Sequence, residues 1–348
     1  MKICHVFWGY EYGGIETMLV NIANLQAEAG HEVHILVIND AYEQELLDKF
    51  HPSIRKHFVN RRVGSHSPLP VIHLNYMLWR IGADICHFHR LDIPKYIFRP
   101  MLRHYCATHH TDYTPAMKSW LPINRYVTAI TQAAADNILS NTGRQCRVMP
   151  NGIDSSKFRV KTAWRGDTGP LRIVQLGRLT PTKGQQYLIE ALAMLLAKGL
   201  DCSVDFIGGG NELHNLTELA ERLGVSTRVR FLGAKAPEYI HTHLADYDVL
   251  VQPSTLEGFG LTITEGMAAK LPVIVADIPC QLEVIDSGKC GLCFKAGDAA
   301  DCARAIEDFA RQPRPHMVEL AYQRVKSFYD VRRTAENYLE YYREIISK

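Results

Sequence analysis

Pro253-Ser254-Thr255-Leu256-Glu257-Gly258-Phe259-Gly260-Leu261-Thr262-Ile263-Thr264-Glu265-Gly266 joins an apolar run, Asp248–Gln252, to a segment of helical period, Thr262–Ala269. Strand, glycine-bearing loop and helix in that order make a βα unit. The first amides of such a helix have no acceptor one turn back, so they favour an anion. Gly258 and Gly260 let the backbone come close to a ligand. Glu257 lies in the loop and Glu265 in the helix, eight residues on. Carboxylates accept hydrogen bonds, so the pair suits a hydroxyl-rich partner such as ribose or hexose. The same two residues also read as a solvated loop acid and a first-turn helix acid.

The alternation extends in both directions. Downstream, strands are expected at Leu171–Leu176, Ser203–Ile207, Val229–Leu232, Asp248–Gln252 and Pro272–Ala276. Helices between and after them are expected at Gln185–Leu196, Asn211–Leu223, Pro237–Leu244, Ala299–Arg311, His316–Phe328 and Val331–Ile346. Upstream, strands are expected at Lys2–Trp8, Glu32–Ile38, Ile54–Val59, Asp84–His89, Tyr105–Thr108, Tyr126–Ile130 and Arg147–Met149. A helix over Ile15–Ala29 is closed by Gly30. The polar stretch 151–170, with Gly166, Gly169 and Pro170, breaks the pattern and reads as a linker. Apolar strands alternating with helices imply parallel sheets covered on both faces. The expected class is α/β, with two Rossmann-like, doubly wound parallel-sheet domains facing a central cleft. Ligands of such sheets bind beyond the strand C-termini. Two sets of strand ends therefore suggest a two-substrate enzyme.

The chain has 348 residues, enough for two cores, and its formal net charge of +2 carries no signature of nucleic-acid binding. The charge is uneven. Residues 1–160 hold 17 Lys and Arg against 13 Asp and Glu, with 12 of the 16 His. A mildly basic first part suits an anionic acceptor or lipid surface, and equally suits ordinary surface scatter. Arg55-Lys56-His57 with Arg61-Arg62 is a short basic cluster in that part, read either as a lipid contact or as a solvated loop. No run approaches the roughly 18 apolar residues of a spanning helix. Met1-Lys2 leads into a strand rather than a secretory signal. The nine Cys are expected to be reduced thiols in a cytoplasmic protein. Cys290 and Cys293 form a C-x-x-C with no second pair nearby.

Arg178 and Lys183 follow the first downstream strand. Arg grips phosphate oxygens bidentately and Lys acts as a point cation, so together they suit a diphosphate. Either alone also reads as an exposed charge near a helix start. Asp246-Tyr247-Asp248 is the nearest thing to a metal-binding acid pair, and it reads as a helix-to-strand junction. His87 and His89 end one upstream strand, and Thr108-His109-His110-Thr111 ends the next. Imidazole near neutrality binds hydroxyls or holds partial charge. With so many His in this part, several must serve packing or surface. A His87, His89 and Asp112 metal set is a minor alternative.

These elements resemble family 4 glycosyltransferases of the "glycosyl transferases group 1" type, which are retaining enzymes of the GT-B fold. Glu257 and Glu265 match the E-x7-E motif. Gly13-Gly14-Ile15-Glu16 looks like the glycine-rich loop that opens the first long helix. Pro150-Asn151-Gly152-Ile153-Asp154 looks like the P-N-G-[VI]-D signature. Gly177-Arg178-Leu179 and Lys183-Gly184 look like the G-R-L-x4-K-G element. Ile207-Gly208-Gly209-Gly210 and Phe231-Leu232-Gly233 fit the strand ends that follow. The resemblance implies an acceptor domain over 1–160, onto which a C-terminal helix of about 330–348 packs back, and a donor domain over 168–328. Glu265 would bind the donor ribose and Glu257 would lie near the transferred sugar. Gly14, Gly177, Gly233, Gly258, Phe259, Gly260 and Leu261 would complete the donor site. Arg178 and Lys183 would hold the diphosphate, and His110, matching a T-x-H segment, would lie near the acceptor and the transferred sugar.

The implied reaction moves a hexose-type sugar from a UDP- or GDP-sugar to a glycan or lipid-linked saccharide acceptor. Surface polysaccharide or glycolipid synthesis is the implied setting, with peripheral contact at the inner membrane face. No cofactor and no metal are expected, because two cations serve the phosphates. No upstream carboxylate stands out as a nucleophile, so front-face attack is expected rather than double displacement. A nucleotide-sugar epimerase, a sugar-phosphate or starch-type transferase and a non-enzymatic scaffold of the same fold are the rival readings.

Overall fold

Short apolar runs carrying Val and Ile, such as Val33–Ile38, Val249–Val251 and Val273–Val275, select strand over helix. The computed structural model describes residues 1–11, 13–101, 103–111, 114–162, 169–312 and 314–348. Asp112 and residues 163–168 of the expected linker, Gly166 included, lie outside the described residues. The chain divides into two compact units, Met1–Gly152 with Val331–Lys348, and Ile153–Asp330.

The first unit holds β1 (Lys2–Phe7), β2 (Glu32–Asn39), β3 (Arg55–Arg61), β4 (Ile85–Phe88), β5 (Tyr105–His109), β6 (Val127–Ala129) and β7 (Arg147–Val148). They pair in parallel in the order β3-β2-β1-β4-β5-β6-β7. The second unit holds β8 (Leu171–Leu176), β9 (Cys202–Ile207), β10 (Val229–Phe231), β11 (Val249–Gln252), β12 (Val273–Ala276) and β13 (Leu292–Phe294). Their order is β10-β9-β8-β11-β12-β13, again parallel. In each sheet the winding reverses once, between β1 and β4 in the first and between β8 and β11 in the second. Loops leaving such neighbouring strands part in opposite directions and open a crevice at their C-terminal ends. The site loops identified in the sequence leave from these strands.

Side-chain alternation divides the first sheet into two faces. Cys4, Val6, Leu36, Phe88 and Ala107 face the helix Leu69–Ile81 and its neighbours. Ile3, Phe7, Ile35 and Ile85 face the helix Gly14–Glu28 and the terminal helix Val331–Ile346. The terminal helix therefore contributes Tyr338, Tyr342 and Ile345 to the first unit's core. In the second unit Val204, Phe206, Leu192, Val251 and Ile306 pack in one apolar cluster, while Gln175, Asp205 and Gln252 are buried polar residues on its strands.

Several elements differ from the sequence expectation. The strand expected over Ile54–Val59 is β3 at the sheet edge, and because it carries Arg55, Lys56, His57 and Arg61 of the basic cluster, their solvated-loop reading is replaced. There Arg55 bonds Glu32, Lys56 bonds the Leu47 carbonyl and His57 bonds His34. Charged side chains on an edge strand oppose unwanted strand pairing. Glu265 sits in the second turn of the helix Leu261–Ala268, so the first-turn reading is replaced. Residues 153–161 of the expected linker are tied to the second unit, where the Arg159 amide donates to His241 O and the Lys161 amide to Ala269 O. β13 and the helix Pro279–Val284 have no counterpart in the sequence reading.

Candidate functional site

In the second unit, the loop after β8 and the loop after β11 are joined by backbone hydrogen bonds. Thr182 O accepts from the Thr255 amide at 2.9 Å. Gly184 has φ of +70°, in the left-handed region, and a Cβ there would overlap the Pro253 carbonyl. Only glycine permits this close approach. On the other side, the Gly177 amide donates to Ile207 O and the Gly208 amide to Gly233 O, each at 3.0 Å. Gly177 and Gly233 are thus scaffolding for the loop that carries Arg178.

This stitching brings Lys183 to Glu257. Lys183 Nζ lies 2.6 Å from both carboxylate oxygens, in a half-buried pair. The thiol of Cys280 donates to the Glu257 carbonyl at 3.3 Å and braces the loop from behind. Arg178 is exposed and its guanidinium has no partner among the described residues. The two cations expected to act alike therefore stand differently, one paired and one free.

Gly260, with φ of +106°, turns the chain into the helix Leu261–Ala268. The helix begins at Leu261, so its first amides have no intrahelical acceptor. Phe259 is buried and packs edge-on against Tyr329, with ring centroids 5.4 Å apart. The Glu265 carboxyl has no hydrogen-bond partner among the described residues, and burial pushes it up to about 7. A half-buried carboxyl without a partner among the described residues is a group that an incoming hydroxyl donor stabilises.

The second feature lies wholly in the first unit, at the β1/β4 reversal. A cavity of about 660 Å³ is lined by Phe7, Trp8, Glu11, Glu16, His89, Arg90, Thr108, His110 and Trp120, among others. That volume is in the range of a sugar or small-ligand site. Exposed Gly14 opens the helix over this region. Glu16, in the helix's first turn, lies where a Cβ on Gly13 would fall.

Behind the cavity runs a line of histidines that the sequence reading did not assemble. His110 Nε2 lies 3.2 Å from His89 Nδ1, His89 Nε2 lies 3.0 Å from His5 Nδ1, and His5 Nε2 lies 2.8 Å from Gln26 Oε1. With the Gln26 carbonyl accepting from His5, each imidazole in turn must donate through Nε2 and accept through Nδ1. The last nitrogen, His110 Nδ1, is enclosed and has no partner among the described residues. It is therefore a bare lone pair, an acceptor for a hydroxyl. Burial keeps all four nearby rings neutral. His5 is lowered to about 4 and His110 to about 3, and His87 and His89 are pushed well down.

His87 branches from this line. Its ring nitrogens lie 2.6 Å from the Tyr342 hydroxyl and 2.6 Å from Thr108 Oγ1. Nitrogens of His5, His87 and His89 lie within 4.8 Å of one another, a spacing that would admit a metal ion. Each of those nitrogens already has a hydrogen-bond partner, and no carboxylate is among them. A divalent charge there would be buried without compensation. Asp246 pairs with Arg159 and Asp248 with Lys161, which makes that acid pair structural. Cys290 is buried while Cys293 is exposed, so the two do not share a ligand pocket.

Residues missed by sequence reasoning are Trp8, Glu11, Trp120, His5 and Gln26. The signal for His5 was present. It is a polar residue at an inward position of a buried strand, and parallel register sets it beside His87.

Comparison with known proteins gives two adjoining family matches. Residues 12–157 match "Glycosyltransferase Family 4" and residues 156–324 match "Glycosyl transferases group 1". The putative glycosyltransferase EpsD of Bacillus subtilis is 32% identical over 221 residues, which span 57% of this chain and 57% of that relative. The phosphatidyl-myo-inositol mannosyltransferase of Propionibacterium freudenreichii is 27% identical over 88% of this chain and 85% of its own length. Among solved structures, Anabaena Alr3699/HepE in complex with UDP and glucose superposes with a TM-score of 0.81 at 21% identity, covering 98% of each chain.

Proposed function

The chain belongs to glycosyltransferase family 4, the glycosyl transferases group 1 enzymes of GT-B fold, and from that premise we propose how its own residues carry the transfer. Enzymes of this family retain anomeric configuration and work without a metal ion. The donor is a UDP- or GDP-sugar, and the transferred group is a hexose-type sugar. The acceptor is a glycan or lipid-linked saccharide of surface polysaccharide or glycolipid synthesis. The enzyme works in the cytoplasm, at the inner membrane face. The mannosyltransferase relative and the UDP-bound structural neighbour support this reading by analogy.

The observation that carries it is the loop cluster at the β8/β11 reversal, with a free Arg178, a Lys183–Glu257 pair, open helix amides and an unpartnered Glu265. A ribose hydroxyl donates to Glu265. The diphosphate lies over the amides at Gly258–Leu261, with Arg178 gripping its oxygens. Lys183 is released from Glu257 as the phosphate arrives, and Glu257 then accepts from sugar hydroxyls. The bond from the anomeric carbon to the phosphate oxygen breaks with its electron pair leaving on phosphate. The acceptor oxygen bonds that carbon on the same face, and the departing phosphate takes the acceptor's proton. The cations and amides act by stabilising charge that grows on the phosphate. The bare Nδ1 of His110 holds a hydroxyl in the first unit's cavity.

A thermal-shift screen with UDP, GDP and ADP tests the donor half, since a bound ligand raises apparent stability by mass action. One nucleotide is expected to shift wild type strongly and Arg178→Ala weakly. Equal shifts in both proteins would reject the assignment.

A further inference from the structure

The histidine line behind the first unit's cavity is built from four separate elements. Gln26 lies on the helix Gly14–Glu28 and is fully buried. His5 lies on β1, His89 just past β4 and His110 just past β5, on three neighbouring strands. The contacts run in single file, at 2.8 Å from Gln26 to His5, 3.0 Å from His5 to His89 and 3.2 Å from His89 to His110. Phe7 stacks on His89 with centroids 4.4 Å apart and the rings 3° from parallel, which fixes the plane of the middle ring. No carboxylate bonds any of the three rings among the described residues. Nothing compensates an imidazolium there, so each ring stays neutral.

A neutral imidazole carries one hydrogen on two nitrogens, so a line of them has a direction. That direction is set at the end that is not an imidazole, which is Gln26. Its carbonyl oxygen faces His5 Nε2. Its nitrogen is enclosed and short of a full hydrogen bond. Burial pushes the Tyr342 hydroxyl well up and the Gln26 side chain counters this, as an amide N–H does and an amide carbonyl does not. The amide is therefore oriented with its nitrogen toward Tyr342 and its carbonyl toward His5. Turned over, the same amide would reverse every hydrogen in the line and put an N–H, in place of a lone pair, at His110 Nδ1.

We propose that Gln26, His5 and His89 are positioning residues that hold His110 in one tautomer, so that the cavity selects a sugar position bearing a free hydroxyl. This selection rests on the reading of His110 as the holder of a hydroxyl. His110 is part-buried in the cavity wall, and its Nδ1 is shielded from water. A sugar hydroxyl satisfies that lone pair. Fluorine or a methyl ether at the same position brings a second acceptor against it and leaves both unpaired. A site built to bond one hydroxyl rejects the analogue lacking it far more strongly than an apolar pocket rejects a methylene. The choice is thus made at Gln26, which touches no substrate and acts through the two imidazoles between it and His110.

The experiment is imidazole nitrogen NMR at neutral pH on histidine-labelled protein, with His110→Asn assigning the signal. Wild type is expected to carry the His110 hydrogen on Nε2 and to show a bare Nδ1. UDP-glucose, UDP-N-acetylglucosamine and GDP-mannose are then titrated, and separately their free sugars. Movement of the Nδ1 signal by a nucleotide sugar places the hydroxyl on the transferred sugar, and movement by a free sugar alone places it on the acceptor. Gln26→Met keeps the side chain's length and removes its carbonyl, and His89→Phe interrupts the line. In either variant His110 should show both tautomers, while the nucleotide-induced thermal shift persists because no donor-loop residue is changed. The preference for the responding sugar over its deoxyfluoro analogue should be about tenfold greater in wild type than in Gln26→Met. A wild-type hydrogen on Nδ1, or a tautomer and a preference unchanged in both variants, would overturn the proposal. So would a bare Nδ1 that no added sugar moves. If the donor reading alone fails, the nucleotide shift is absent while free sugars still move the Nδ1 signal and the tautomer still follows Gln26.

Discussion

Arg178 and Lys183 differ in what removing each leaves behind. Arg178→Ala deletes an unpaired cation, so turnover should fall by about 100- to 1,000-fold, the scale of one transition-state charge donor, with folding unchanged. Lys183→Ala should cost as much turnover and also leave the Glu257 carboxylate without its partner. Steady-state rates beside melting temperatures check both, and wild-type turnover in either variant would remove it from the site. Glu265 gives a pH prediction. Its carboxyl is pushed up to about 7, so the form that accepts a ribose hydroxyl is filled as pH rises through that value. Donor binding should therefore tighten several-fold between about pH 6 and about pH 8. Glu265→Gln should flatten the profile, and a profile identical to wild type would contradict the role. The types and spacing of these residues were readable in the chain. Their pairing was not, because Lys183 and Glu257 are 74 positions apart and meet only through the stitched loops.

At the scale of elements, the β8–helix loop depends on Gly184, whose added Cβ would meet backbone rather than a yielding side chain. Gly184→Ala is expected to destabilise the second unit by about 2–4 kcal/mol, measured by urea unfolding. An unchanged midpoint would show that the loop does not need the close approach. The buried histidine line across β1, β4 and β5 makes a second prediction. Unfolded histidines take up protons near pH 6.5, whereas His5 and His110 in the fold do so only near about 4 and about 3. The unfolded chain thus binds more protons between those limits, and stability falls as pH drops through that window. The urea midpoint should be lower at pH 5 than at pH 7, and His5→Asn should lessen the difference. A midpoint that rises with acid would contradict neutral burial. Apolar runs such as Ile173–Leu176 and Val249–Val251 announced their strands. The helix Leu69–Ile81 did not announce its boundaries, because its sequence is apolar on both sides and lacks a clean period. β13 spans only Leu292–Phe294, too little for any period to show.

For the molecule as a whole, the two parallel sheets and their family were legible, because glycine loops recur at strand ends in a fixed order. The first unit's cavity was less so, since it is lined by residues from separate strand ends with no shared motif. The family works without metal, and the described acid pair Asp246 and Asp248 is engaged by Arg159 and Lys161. Activity should therefore survive a chelator, and loss restored by Mg²⁺ would show a metal requirement. The most direct measurement is calorimetric titration of the matching nucleoside diphosphate, and of its nucleoside, into wild type and Arg178→Ala/Lys183→Ala. The account predicts that the variant loses about 2–4 kcal/mol of diphosphate binding and little nucleoside binding. Diphosphate binding as tight in the variant as in wild type would place the phosphates elsewhere and contradict it.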